Sequence, residues 1–357
     1  MVDAEMDSLF DLIGENDHEQ VVFCNDKSSG LKAIIAIHNT QLGPSLGGTR
    51  MWNYASERDA LVDALRLSRS MTYKASIIGL DLGGGKAVII GDSRKDKSEA
   101  LWTRYGQFVE SLNGRYITAE DVGTSTADME TVAKETKHVT GLPESMGGSG
   151  DPSPFTAYGV YLGMKASAKK LWGDDNLSGK RIAVQGAGNV GRNLIKYLSE
   201  EGAVVLVSDI YEDKLEEIAK EFKVEIVGTE GIYDIDMDIY APCALGATVD
   251  SDTVKRLKCS IIAGGANNQL ADENEHADML MEQGILFAPD FLINAGGLVN
   301  VYMQLDGYDK KKVMAHTERI YDLTLDVLNK AEEDGITTVM AAKRMAEARI
   351  EASKNNK

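Results

Sequence analysis

The chain has 357 residues, enough for two domains of ordinary size, and 43% of them are hydrophobic, so large cores are available and intrinsic disorder is excluded. The 56 acidic residues outnumber the 38 basic ones and give a net charge of −18, which argues against nucleic acid or an anionic membrane surface as partner. Five scattered histidines without an HExxH arrangement give no transition-metal site. Cys24, Cys243 and Cys259 lack CxxC spacing and suit a reducing compartment. The acidic N-terminus does not read as a signal peptide, and no apolar run reaches the roughly 18 residues of a membrane span. The expectation is a soluble, cytoplasmic protein without metal.

Residues 3–13 can form a helix with Met6, Leu9, Phe10 and Ile13 on one face. Residues 20–24 and 31–38 are rich in Val and Ile and read as strands joined by a hairpin turn at residues 25–30. Leu42-Gly-Pro-Ser-Leu-Gly-Gly-Thr-Arg50 reads as a loop at first, with close packing at its glycines. Ser56 is an N-cap candidate for a helix running through Tyr73, which puts Lys74 near the C-terminal end, where the helix dipole favours a cation. Lys86 starts a strand over residues 87–90, residues 96–112 read as a helix, and residues 115–118 as a strand. The first domain is thus expected to be α/β.

Residues 141–154 hold four glycines and three prolines and read as a hinge between domains. A helix is expected over 155–171, a strand over 180–185, a helix over 189–200 and a strand over 203–209. Alternation then continues through a helix at 212–222, strands at 224–227, 238–240 and 260–263, a helix near 272–282 and a strand at 285–287. This pattern predicts a doubly wound parallel sheet. From about residue 294 the chain reads as mostly helical, punctuated by Gly307 and Gly335, with a frayed tail over 353–357. The composition shift puts the expected domain division at residues 145 and 146.

Gly186-Ala-Gly188-Asn-Val-Gly191 follows a strand and opens a helix, the context in which this glycine spacing binds a dinucleotide. Gly186 permits a tight turn, Gly188 lets the backbone approach a pyrophosphate at the helix N-terminus, and Gly191 lets helix and strand pack closely. Ala187, Asn189, Val190 and Arg192 complete the candidate cofactor-binding stretch. Asp209 ends the next strand, where a carboxylate accepts hydrogen bonds from ribose hydroxyls and repels a 2′-phosphate. Ile210-Tyr-Glu212 brings no cation to offset that repulsion, so NAD is expected over NADP.

Met71-Thr-Tyr-Lys74 and Gly83-Gly-Gly-Lys86 place two lysines twelve residues apart, ahead of Ala119-Glu-Asp121-Val-Gly123. The second run is not a Walker loop, because Leu80 stands where the first glycine belongs and Ala87 where Ser or Thr belongs. Its glycines suggest a crowded floor where only backbone fits against a ligand. Where two lysines share a site, the less solvated one loses its proton more easily and becomes a usable base. By spacing alone, surface lysines and an N-cap aspartate are the better explanation of the same residues.

These motifs resemble those of the glutamate/leucine/phenylalanine/valine dehydrogenase family. The likeness runs from residue 42 to the C-terminal helices and takes in Pro152-Ser-Pro-Phe-Thr-Ala-Tyr-Gly159, the stretch from Ala241 to Thr248, Gly265-Ala-Asn-Asn-Gln269 and Asn294-Ala-Gly-Gly297. It implies reversible oxidative deamination of an L-amino acid to a 2-oxo acid and ammonia, with NAD as cofactor. In that scheme Lys74 binds the substrate carboxylate, Lys86 is the general base that activates water, and Asp121 exchanges protons with the amino nitrogen. Thr156, Ala244 and Asn267 match cofactor-contacting positions, while Asn268 and Asn294 lie in motifs near the reacting centre. The resemblance also implies a substrate-binding and oligomerisation domain of residues 1–145 joined again by about 332–357, a Rossmann-type domain of residues 146–331, a cleft that closes between them, and a homo-oligomer, commonly an octamer in the leucine-acting branch.

The glutamate-acting members carry a lysine where this chain has Leu46 and a serine where it has Val301. Leu46, Gly47, Ala119, Leu298 and Val301 instead offer an apolar wall, which suits leucine, valine or isoleucine. One methylene is worth only about 1–3 kcal/mol in such a pocket, so strict selection among them is not expected. A phenylalanine-preferring enzyme of the same family is the alternative, and a non-catalytic NAD-binding sensor a second one. Asp151, at the hinge, replaces the asparagine usual in the leucine-acting branch and adds a charge there.

Overall fold

The computed structural model describes residues 8–15, 17–244, 246–305 and 307–354. They form two compact units. One comprises Met1–Gly150, Gln304–Tyr308 and Glu347–Lys357, and the other Asp151–Met303 and Asp309–Ala346.

The first unit is built on a five-stranded sheet of β1 (Gln20–Asp26), β2 (Leu31–Asn39), β3 (Ser45–Trp52), β4 (Gly83–Ile90) and β5 (Tyr116–Glu120), in the order β1-β2-β4-β3-β5. The β1–β2 hairpin is antiparallel, with Asp26 opposite Leu31. Its turn is closed by the Asp26 carboxylate, which accepts from the Ser29 backbone N–H at 2.8 Å and the Ser28 hydroxyl at 2.7 Å. β3 runs parallel to both β4 and β5. Helix Glu57–Ile77 covers one face, where Ala60, Leu61, Ala64 and Leu65 pack on Ile34, Ala36 and Val88. Helix Glu99–Ser111 belongs to the other face, where Leu101, Trp102, Tyr105 and Val109 pack on Ile35, Ile37, Ala87 and Ile89. Ser56 caps the first of these helices by accepting from the Asp59 N–H, and Ser98 caps the second through the Leu101 N–H.

The glycine-rich runs depart from expectation. The stretch read as a loop at residues 42–50 contains β3, in the interior of the sheet, and β4 begins at Gly83 rather than at Lys86. Glycine is a poor strand former when isolated, yet here side chains would collide. A Cβ on Gly47 would strike the Gly85 carbonyl, and one on Gly84 would strike Thr72 in helix Glu57–Ile77. The crowding expected of a ligand floor is therefore internal: helix and strands close directly onto these glycines. The same helix continues to Ile77, past the expected end at Tyr73. The first helix is described over Leu9–Glu15, and Met6 lies outside the described residues.

The second unit is a parallel, doubly wound sheet. Its strands are β6 (Arg181–Gln185), β7 (Val204–Ser208), β8 (Val224–Ile226), β9 (Ile239–Pro242), β10 (Ile261–Ile262) and β11 (Leu286–Phe287). Their order is β11-β10-β9-β6-β7-β8, and every pairing is parallel. The direction of winding reverses between β6 and β9, the switch point at which such sheets bind dinucleotides. Helices Ser153–Trp172, Asn189–Glu201 and Lys310–Asp334 belong to this unit.

The C-terminal part of the first unit begins at Glu347, not at residue 332. Thr338 Oγ1 donates to the Phe287 carbonyl at 2.7 Å and Lys343 pairs with Glu273, which ties the start of helix Thr338–Lys354 to the dinucleotide-type sheet. Beyond it, Tyr73 donates to Glu347 at 2.9 Å, and Arg349 donates to the Leu80 carbonyl and the Asp81 carboxylate, each at 2.7 Å. The unit boundary at Gly150 and Asp151 falls within the glycine- and proline-rich stretch. There Asp151 Oδ1 accepts from the Ser153 N–H at 2.9 Å, so its charge sits at the start of helix Ser153–Trp172, where the dipole favours an anion. No described helix is long and apolar enough to cross a membrane.

Candidate active site

In the first unit, parallel pairing sets Gly48 of β3 opposite Ala119 of β5, with β4 on the other side of β3. Lys86 leaves β4 on the face that carries Gly84 and Val88, and its Nζ reaches Asp121 Oδ2 at 2.7 Å. β3 lies between the two strands, and a Cβ on its Gly48 would stand 2.5 Å from the Glu120 carbonyl oxygen and 2.9 Å from the Asp121 Cβ. Glycine at 48 is thus what lets β3 close onto the segment that carries Asp121. Lys86 is almost fully buried, so the pair lies in a medium where charge is strongly felt.

A third charge joins it. Arg50 Nε donates to the same Asp121 Oδ2 at 3.2 Å, and its Nη1 pairs with Asp63 Oδ2 at 3.0 Å. The Tyr54 hydroxyl donates to that Asp63 oxygen at 2.6 Å. Asp121 is fixed through its backbone as well, its N–H donating to Thr124 Oγ1 at 2.8 Å. Burial alone would raise the Asp121 pKa, but Lys86 and then Arg50 outweigh it and hold the carboxyl at about 2. Burial likewise opposes the charge on Arg50, yet Asp121 and Asp63 push its pKa above the usual arginine value. The Tyr54 hydroxyl is pushed far up, by burial first and then by its bond to Asp63.

Of the residues expected here, Lys86 and Asp121 meet directly. Leu46 and Ala119 are buried, and strand register puts both on the sheet face that bears Gly84 and Lys86. Gly47 packs on Gly85, and its carbonyl accepts from the Tyr116 hydroxyl at 2.6 Å. Lys74 occupies the last turn of helix Glu57–Ile77. Asn268, Leu298 and Val301 belong to the second unit, the last two on helix Gly296–Tyr302. Arg50, Asp63 and Tyr54 were not read as site residues. Arg50 closes the Gly47-Gly-Thr-Arg50 run, but nothing in the spacing tells that Asp63 would lie beside it.

In the second unit Gly186 turns at φ +108°, and a Cβ there would lie 2.8 Å from the Ala244 nitrogen. Gly188 forms the N-cap position of helix Asn189–Glu201, and the space where its Cβ would stand is open. A Cβ on Gly191 would strike the Gly186 carbonyl, so the helix rests on the loop. An open glycine at a helix N-terminus, flanked by two glycines that backbone contact requires, fits a dinucleotide pyrophosphate. Asp209 follows β7 directly, its Oδ2 accepting from the Ala187 N–H at 2.7 Å and its Oδ1 from the Tyr211 N–H at 2.9 Å.

Asn189 and Val190 open the helix at this loop. Arg192, expected at the cofactor, instead directs its guanidinium to Glu221 and Glu217 on helix Glu212–Glu221. Thr156 lies in the first turn of helix Ser153–Trp172, where its hydroxyl donates to the Pro152 carbonyl at 3.1 Å. Asn267 is exposed and its Oδ1 accepts from Asn294 Nδ2 at 2.8 Å, while Asn268 holds a left-handed backbone at φ +52°.

A family model described as "Glu/Leu/Phe/Val dehydrogenase, dimerisation domain" matches residues 18–138, and one described as "Glutamate/Leucine/Phenylalanine/Valine dehydrogenase" matches residues 147–212 and 209–357. The chain belongs to the glutamate/leucine/phenylalanine/valine dehydrogenase family. It is 55% identical over 343 residues to the leucine dehydrogenase of Thermoactinomyces intermedius, covering 96% of this chain and 93% of that protein. The phenylalanine dehydrogenase of Bacillus thermotolerans is 49% identical over 350 residues, 97% of this chain and 91% of the relative. The crystal structure of L-tryptophan dehydrogenase from Nostoc punctiforme superposes with a TM-score of 0.86 at 48% identity, over 97% of this chain and 100% of that one. Membership makes this chain an amino acid dehydrogenase, an oxidoreductase using a nicotinamide cofactor. Its relatives act on aliphatic and aromatic amino acids alike.

Proposed function

We propose that this dehydrogenase acts on branched-chain L-amino acids, leucine foremost and valine and isoleucine as well, with NAD. It would convert them reversibly to 2-oxo acids and ammonia. The observation that carries this reading is the buried Lys86–Asp121 pair on the same sheet face as apolar Leu46 and Ala119. A buried substrate side-chain carboxylate would need a cation, and Leu46 offers none.

Lys74 is assigned to the substrate α-carboxylate, for which its ammonium supplies the complementary charge. Lys86 serves as general base for the water that attacks the substrate imine. Asp121 takes and returns protons at the substrate nitrogen as the imine hydrates and ammonia leaves. Gly47, Asn268, Leu298 and Val301 are assigned to the substrate, and Thr156, the 186–191 loop, Asp209, Ala244 and Asn267 to the cofactor. When bound, the dinucleotide supplies the hydride acceptor. Asp209 favours NAD because its carboxylate, held by two backbone N–H groups, would repel a 2′-phosphate.

The first unit is assigned to substrate and oligomer, the second to the dinucleotide. A homo-oligomer, taken as an octamer, is supported by the dimerisation domain named in the matching family model and by β1, an edge strand that exposes Phe23. A cytoplasmic location is in keeping with three cysteines that form no disulfide.

The test is NADH formation at alkaline pH with leucine, valine, isoleucine, phenylalanine, tryptophan and glutamate, each offered with NAD and with NADP. The expected result is strong turnover of the aliphatic set with NAD alone. Preference for phenylalanine or tryptophan would keep the reaction and overturn the pocket. Equal use of NADP would overturn the reading of Asp209.

A further inference from the structure

Lys86 and Asp121 do not form an isolated pair. The backbone of Asp121 is anchored to β3 on both sides, by the Thr49–Glu120 pairing and by the Met51 N–H donating to the Val122 carbonyl at 3.0 Å. That anchoring fixes the Cα, and the Val122 backbone N–H also donates to the carboxylate, leaving its side-chain partners to set which oxygen faces Lys86. Lys86 cannot set the rotation alone, because an ammonium on a four-carbon stem is a point charge without directional preference. Arg50 is different. It sits on the strand next to Asp121, its planar fork presents fixed donors, and two of them are used on two different carboxylates, Asp121 and Asp63.

Asp63 comes from helix Glu57–Ile77, so the guanidinium spans from that helix to the end of β5. Tyr54 occupies the same Asp63 oxygen and keeps that end from turning. The chain of contacts runs Tyr54–Asp63–Arg50–Asp121–Lys86, with two anions and two cations that balance. A network of this kind, with every charge paired, costs far less to bury than any of its members alone.

We propose that Arg50 is a positioning residue for the Lys86–Asp121 pair, and that Asp63 and Tyr54 are the anchor that holds Arg50 in place. This deepens the functional reading above and rests on it. Arg50 acts through Asp121, aiming one carboxylate oxygen at Lys86 and keeping that carboxylate charged. The groups that face Asp121 are Lys86 from β4, Arg50 from β3, Tyr116 from β5 and, through Arg50, Asp63 and Tyr54. Lys86 and Arg50 favour its charged form, and of these two cations Arg50 also pairs with Asp63. Removing Arg50 leaves Lys86 as the sole cation holding the Asp121 carboxyl down, so its pKa must rise.

The experiment compares Arg50→Met, Arg50→Lys and Tyr54→Phe with the wild type through the pH dependence of kcat and kcat/KM for leucine, alongside NADH binding by fluorescence. In Arg50→Met the acidic limb of the profile should move up by about one pH unit or more and kcat should fall about 100-fold, with NADH affinity unchanged. Arg50→Lys keeps the charge but loses the fork; its limb should move less, while kcat still falls at least about 10-fold. Tyr54→Phe removes one hydroxyl and leaves every charge in place, and should lower kcat a few-fold without moving the limb. Superimposable pH profiles for Arg50→Met and wild type would overturn the proposal. So would full recovery in Arg50→Lys, because a charge without the fork would then suffice. If Arg50→Met fails to fold, an unaltered kcat in Tyr54→Phe together with an unmoved kcat in Arg50→Lys overturns it instead. A wild type inactive on every amino acid would refute the functional reading, an outcome distinct from all of these.

Discussion

The Lys86–Asp121 site of the first unit is made of side chains, whereas the nucleotide loop of the second is made of backbone. Four charges and a phenol hold the former, and each has a partner within hydrogen-bonding reach. The latter owes its shape to the missing side chains at Gly186 and Gly191 and its open space to the one missing at Gly188. The two therefore fail in different ways. A charge network is disturbed by removing one atom group or by titration, and a backbone cradle is disturbed by adding a methyl. Aspartate serves in both. Asp121 is held by two cations and, in the mechanism proposed here, takes part in the chemistry, while Asp209 accepts from two backbone N–H groups and shapes a turn.

The largest effect should come from breaking the charged site at its base. Lys86→Ala removes the ammonium that faces Asp121 and, in the mechanism proposed here, the group that activates water. General-base catalysis contributes on the order of 10²–10⁴-fold, so kcat for leucine should fall by that much. NADH binding should stay near that of the wild type, because the loop that receives it belongs to the other unit. Steady-state kinetics with a fluorescence titration checks both halves. Full activity in the variant would refute the base assignment, and loss of NADH binding would mean that the two sites are not separable.

A pair of alanine substitutions sharpens the contrast from the other side. At Gly191 a methyl would run into the Gly186 carbonyl, whereas at Gly188 it would enter open space. Overpacking of this kind costs typically about 1–3 kcal/mol, so Gly191→Ala should lower Tm and weaken NADH together. Gly188→Ala should leave Tm where it was and weaken NADH alone, because the methyl meets only the incoming pyrophosphate. Equal Tm loss in both variants would show that the open space at Gly188 is needed by the protein itself.

The same contrast explains what could be read from sequence. The doubly wound sheet and its glycine loop were legible because strand, turn and helix follow each other locally and each glycine has a local reason. The first unit was harder. β3 was missed since Gly47 and Gly48 look like a loop, and the partners that require those glycines, Gly85 and Asp121, lie far along the chain. Arg50 went unassigned for a similar reason. Its two carboxylates come from a helix and from the end of another strand, and no periodicity links the three. Lys86 and Asp121 could be named from motif likeness, but not joined. The pairing of Arg192 with Glu221 was out of reach in the same way, since the two residues come from different helices.

The smallest effect concerns Asp209, where the two kinds of site overlap, a side chain acting within a backbone cradle. Its Oδ2 holds the Ala187 N–H and its Oδ1 the Tyr211 N–H, so truncation to alanine would loosen the loop and confuse the result. Asp209→Asn keeps a carbonyl acceptor and most of the shape while removing the negative charge. A hydrogen bond to a charged group is worth about 1.5–3 kcal/mol against about 1 for a neutral one, a difference of roughly one order of magnitude in binding. The ratio of kcat/KM with NAD to that with NADP should therefore fall about 10-fold, with a modest loss in Tm because one of the two backbone N–H groups then faces the amide nitrogen. A constant ratio would mean that Asp209 serves the turn alone, and that discrimination at the 2′ position comes from the shape of the backbone around it.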